Sequence, residues 1–101
     1  MGAPPTVLQH AAWPNPYTGA GRAFLQLRLG GPAERVELDL YAVSLAQARH
    51  ASYGPLAQGW NQVALPGADD LPNGLYYYRV RSFAGGRALP QKAVGRWLLQ
   101  R

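Results

Sequence analysis

Leu71-Pro72-Asn73-Gly74-Leu75-Tyr76-Tyr77-Tyr78-Arg79-Val80-Arg81 is the stretch whose reading decides the fold. Pro72-Asn73-Gly74 is a tight-turn signal, because proline fixes φ and glycine accepts positive φ. It runs straight into a segment dense in tyrosine and valine, residues that suit a pleated surface. Alternation along a strand puts Tyr76, Tyr78 and Val80 on one face and Leu75, Tyr77 and Arg79 on the other. Large side chains on both faces mark a central strand rather than an edge. No catalytic group accompanies the stretch, so it speaks for architecture before chemistry.

The surrounding chain has the same character. Its 101 residues make one domain, long enough to bury a core without staples. Hydrophobic content of 48% against 15% charged residues is that of a globular chain rather than a disordered one. Twelve glycines and nine prolines sit between short alternating apolar runs, the punctuation of an all-β domain with many turns. Cysteine is absent, which removes disulfides and thiolate metal sites. The net charge is +5, but the basic residues are nearly all arginines placed singly rather than in blocks, so nucleic acid is a disfavoured partner. No apolar run is long enough to span a membrane. Met1-Gly2-Ala3-Pro4-Pro5-Thr6 lacks the basic and apolar regions of a signal peptide. Its loose fit to the myristoylation pattern is set aside because two prolines stand inside it.

Residues 1–11 read as an extended arm or first strand and 12–101 as a single sandwich domain. Val7, Leu8, Ala11, Ala12 and Trp13 suit a first strand. Trp13-Pro14-Asn15-Pro16-Tyr17 ends it, since two prolines forbid a central ladder strand there. Leu25, Leu27 and Leu29 alternate with Gln26 and Arg28, and Val36, Leu38 and Leu40 alternate with Glu37 and Asp39. The two runs, joined by a few turn residues, are expected to form a hairpin. Residues 44–53 carry helix formers without an apolar stripe, and a short or irregular strand is expected. Val63 and Leu65 point inward from another short strand. Ala84-Gly85-Gly86-Arg87 turns the strand that begins at Leu75, and residues 88–99 return. About seven short strands imply an all-β, Ig-like or fibronectin III-like antiparallel β-sandwich. Trp13, Tyr76, Tyr78 and Trp97 are expected in its core. Tyr76 is expected to be a corner tyrosine, its hydroxyl bonding backbone near Leu71.

Three landmarks occur in order: Trp13-Pro14-Asn15-Pro16-Tyr17, Val36-x-Leu38-x-Leu40-Tyr41, and Asn73-Gly74-Leu75-Tyr76-Tyr77-Tyr78-Arg79-Val80, the last preceded by Gly59-Trp60-Asn61-Gln62-Val63. Over residues 12–100 this resembles the bacterial C-terminal Ig-like domain shared by the flagellar hook-capping protein and type IX secretion sorting domains. The family commonly has Asp and then Gly after the middle motif; Ala42 and Ala46 stand there, leaving its tight turn in question. The short Leu65–Pro72 connection is closer to the sorting-domain form. The resemblance implies a non-catalytic sorting, attachment or assembly module of an exported or cell-surface protein, with secretion machinery, its parent protein or further copies of itself as partners. Pro14, Asn15, Pro16, Gly74, Tyr76 and Tyr78 would be its structural hallmarks. Lys92, Arg96 and Arg101 would meet the secretion machinery. The Pro-Asn-Pro segment and the last strand are expected edges, able to add a partner strand. A hook-cap assembly domain and a surface-filament subunit are the alternative protein-binding roles. A carbohydrate-binding sandwich is a further alternative, resting on an outward Trp60.

Chemistry has weaker footing. Glu37 and Asp39 are expected on a solvated face beside Arg28 or Arg35. Asp69-Asp70 is read as a turn, although loop carboxylates can also meet Ca²⁺. His10 and His50 lie in no metal-ligand spacing, and no serine has a nucleophile-elbow context. No enzyme activity and no cofactor are expected.

Overall fold

Leu25, Leu27, Val36, Leu38, Leu40 and Trp97 have no solvent exposure, and they lie on the inner faces of two antiparallel sheets packed face to face. The computed structural model describes residues 3–101; the Met1-Gly2 start of the myristoylation pattern lies outside them. The strands are β1 (Val7–Trp13), β2 (Phe24–Leu29), β3 (Arg35–Ala42), β4 (Gln47–Tyr53), β5 (Gly59–Ala64), β6 (Gly74–Ala84), β7 (Arg87–Ala88) and β8 (Ala93–Leu99). No helix occurs among the described residues. One sheet has the order β1-β2-β5; the other has β4-β3-β6, with β7 and β8 pairing successive parts of the far side of β6. This is an Ig-like sandwich of the fibronectin III-like kind, with the fourth strand beside the third. The eighth strand, beyond the seven expected, is the two-residue β7.

β6 is the central strand that its composition implies. It pairs β3 over eight positions and β8 over seven. Tyr76, Tyr78, Val80 and Ser82 are buried on its inner face. The corner at its start is present: the Tyr76 hydroxyl donates to the Pro72 carbonyl at 2.7 Å, and Gly74 has φ of 155°. Residues 47–53 form a strand, β4, on the open edge beside β3. The turn before it closes without the expected glycine. Leu45 N donates to Ala42 O at 2.8 Å and Ala42 N to Ala46 O at 3.0 Å, with Leu45 itself at φ 69°.

Three expectations are corrected. β2 and β3 do not form a hairpin: β2 pairs β1 and β5, while β3 pairs β4 and β6. Each has an apolar inner face, and the two faces enter the common core from opposite sheets. The connecting Gly31 packs so closely on Ala3 and Pro4 that a Cβ would stand 1.9 Å from the Ala3 carbonyl oxygen. Trp13 is not a core residue; it is 58% exposed. β1 continues through residue 13, Ala12 takes the inward position, and alternation turns Trp13 out. The buried aromatic of that motif is Tyr17, 6.1 Å from Trp97 between ring centroids.

The third correction concerns how open the edges are: β8 is an edge strand as expected, pairing only β6, but part of its outer side is occupied. The Pro14–Pro16 segment and β8 cover each other. Asn15 Nδ2 donates to Arg96 O at 2.9 Å, and Leu98 N donates to Asn15 Oδ1 at 3.0 Å. Tyr17 N then bonds Leu98 O, and Gln100 N bonds Tyr17 O. Farther along the seam, Gln91 repeats the device: its carboxamide accepts from Val7 N and donates to Val7 O. Carboxamides carry a donor and an acceptor in the spacing of a peptide group, so they can pair with backbone where prolines cannot. The chain itself occupies the Arg96–Gln100 part of this edge, and strand addition there would have to displace these bonds.

Candidate binding faces

With both inner faces committed to the core, function falls to the outer faces and edges. On the five-stranded sheet, cross-strand pairing lines up Ser52, Glu37 and Arg81 in one row and His50, Asp39, Arg79 and Val94 in the next. The expected solvated carboxylates are instead a bonded network. Asp39 is only 2% exposed. It accepts from Gln47 and Arg79 at 3.1 Å each and meets His50 Nδ1 at 2.7 Å. Arg81 spans Glu37 at 2.9 Å and Asp39 at 3.4 Å. Glu37 also takes Arg35 at 2.8 Å, one of the two expected partners; Arg28 lies on the other sheet. Burial alone would raise the Asp39 carboxyl. Hydrogen bonds from His50 and Arg79 and the charges of Arg81 and Arg79 outweigh it and hold the group below the usual carboxylate range. Arg35 stacks on the Phe83 ring at 3.8 Å.

Of the expected basic contacts, Arg96 is exposed on the outer side of β8, opposite Tyr77, and Lys92 is exposed just before that strand. Val94, between them, is 59% exposed. Arg101 is separate. Its guanidinium donates to Ala68 O and Leu71 O, and its backbone pairs with the Asn73 carboxamide, tying the chain end to the β5–β6 crossover. Asp70 accepts from Arg49 at 2.8 Å on the same crossover, and among the described residues no group of three or more side chains able to hold a metal forms around Asp69.

The outer face of the three-stranded sheet differs. Its rows run Gln9–Arg28–Trp60, Ala11–Gln26–Gln62 and Trp13–Phe24–Ala64. Trp60 is 62% exposed, and Gln26, Trp60, Asn61 and Gln62 line a shallow depression of about 440 Å³. Trp60 was legible as an outward aromatic; Trp13, its companion, was not.

One titratable pair lies inside, across the β1–β8 seam. His10 points inward from β1 and its Nδ1 is 2.6 Å from the Tyr78 hydroxyl, with the rings edge to face. Burial lowers the His10 pKa and pushes that of Tyr78 up to about 12. Gly95 makes the space: a Cβ there would stand 2.3 Å from the Tyr78 hydroxyl. Neither His10 nor Gly95 carried a sequence signal, because their role depends on pairing across sheets.

Fold and surface together define the class as an Ig-like, fibronectin III-like sandwich. No family model matches the chain, and no curated protein matches it.

Proposed function

We propose that this sandwich is a non-catalytic attachment module of an exported or cell-surface bacterial protein, acting in the manner of a type IX-like C-terminal sorting domain. The observation that carries the reading is the treatment of the last strand. The Trp13-Pro14-Asn15-Pro16-Tyr17 motif is spent on pinning β8 through Asn15 and Tyr17, while the outer side of β8 keeps Val94 and Arg96 open beside Lys92. An apolar residue between two cations at the start of a paired strand is a compact contact for an acidic protein surface. The other two landmarks support the same resemblance: Val36–Tyr41 runs along β3, an internal strand between β4 and β6, and Asn73–Val80 opens β6 at the tyrosine corner. Arg101 has a structural task and is left out of the proposed contact.

The test is a fusion of the full chain to a signal-peptide-bearing reporter in a host with a type IX system. Release to the surface or medium is expected, and its reduction by the Lys92→Ala/Arg96→Ala double variant. Retention of the unaltered fusion in the periplasm would overturn the reading.

A further inference from the structure

The molecule's two exposed indoles share one face. Trp13 and Trp60 are 58% and 62% exposed and lie at opposite corners of the outer surface of the β1-β2-β5 sheet. They are two strands apart and offset by four residues, which puts their Cα atoms roughly 16 Å apart from strand spacing and rise. Between them stand Gln26 and Gln62, with the small Ala11 leaving the middle row low. Single exposed aromatics need no explanation, but two on one flat face with carboxamides between them form a pattern.

We infer that this face binds an extended, uncharged polysaccharide. Each indole offers a broad apolar plane against which the C–H face of a pyranose ring can stack, and the separation spans several rings of one strand of polymer. The carboxamides supply both donors and acceptors for sugar hydroxyls at no cost in charge. Charge selects the neutral class. The chain carries +5 overall, yet this face has no carboxylate and one cation, Arg28, whose guanidinium already bonds Gln9 at 3.4 Å. An acidic polymer would find its counter-charges on the opposite sheet. The depression beside Trp60 is open and shallow, suited to a chain lying across the face rather than to a small molecule enclosed within it. This role is independent of export and uses none of the β8 residues.

Affinity electrophoresis of the full chain through gels containing soluble β-glucan, galactomannan or xylan, with anionic polygalacturonate alongside, tests it. Retardation by at least one of these polymers is expected, undiminished by added salt. Trp13→Ala and Trp60→Ala should each weaken binding about tenfold or more, from loss of one stacking plane. Both side chains are exposed, so both variants should keep the near-UV signal of the buried Trp97. No retardation by any neutral polymer, retardation unchanged in both variants, or binding confined to an anionic polymer and abolished by salt would each overturn the inference.

Discussion

Replacing Tyr76 by phenylalanine removes one oxygen and leaves the ring in place. The lost group is the donor of the 2.7 Å bond to Pro72 O that ties the β5–β6 crossover to the start of β6. Tyr76 is 6% exposed, so its ring burial is unchanged by the substitution. Pro72 lies in an exposed turn, and its carbonyl can take a water molecule in place of the hydroxyl. The cost is therefore that of an ordinary buried hydrogen bond without an added desolvation penalty, about 1 kcal/mol. For a domain of this length that corresponds to a fall in Tm of about 4–5 °C. Thermal unfolding followed by circular dichroism reads the shift, and urea unfolding should give a lower midpoint with the same slope. A change in Tm below about 1 °C would refute the reasoning, since the corner would then carry no stability.

Gly95→Ala drives a methyl group into the Tyr78 ring, which the His10 bond keeps from swinging aside; a loss of about 1–3 kcal/mol is expected in urea unfolding. Stability should also depend on pH in two separate windows. Burial lowers the His10 pKa, so the unfolded chain takes up that proton first and stability falls as pH drops through about 6.5 and below. His10→Gln should erase this contribution from a series of melts across pH. The Asp39 carboxyl is also held low, so its contribution is present above about pH 4 and is lost as pH falls below that; Asp39→Asn should flatten the acid limb. Leu45, 72% exposed at φ 69°, is strained without useful packing, and Leu45→Gly should stabilise the fold by about 1 kcal/mol in the same urea assay.

What was legible in the sequence was whatever depends on local pattern. Period-2 alternation placed Leu25, Leu27, Val36, Leu38 and Tyr78 correctly, and Pro72-Asn73-Gly74 before Tyr76 marked the corner. What was missed depends on which strand lies beside which. Two adjacent alternating runs look the same whether they form a hairpin or face each other across a core, so β2 and β3 were paired wrongly. Trp13 was placed inward on size, although Ala12 beside it took that position. Asp39 resembled a solvated carboxylate because its partners His50, Arg79 and Arg81 come from β4 and β6. Gln91 and Arg101 bond backbone far along the chain, and no local signal marks either role. Of the surface residues that the two proposals use, Trp60, Lys92 and Arg96 were singled out in the sequence; the face that joins Trp60 to Trp13 was not, because it depends on strand pairing.

Attachment through an exported sandwich is tested most directly by the fraction of a reporter carried to the cell exterior. With residues 1–101 at the C-terminus of a signal-peptide-bearing reporter in a type IX host, most of the activity should appear at the surface or in the medium, and the Lys92→Ala/Arg96→Ala variant should return a large part of it to the periplasm. A reporter that stays in the periplasm with the unaltered chain attached, while the chain itself is folded, would contradict the proposal.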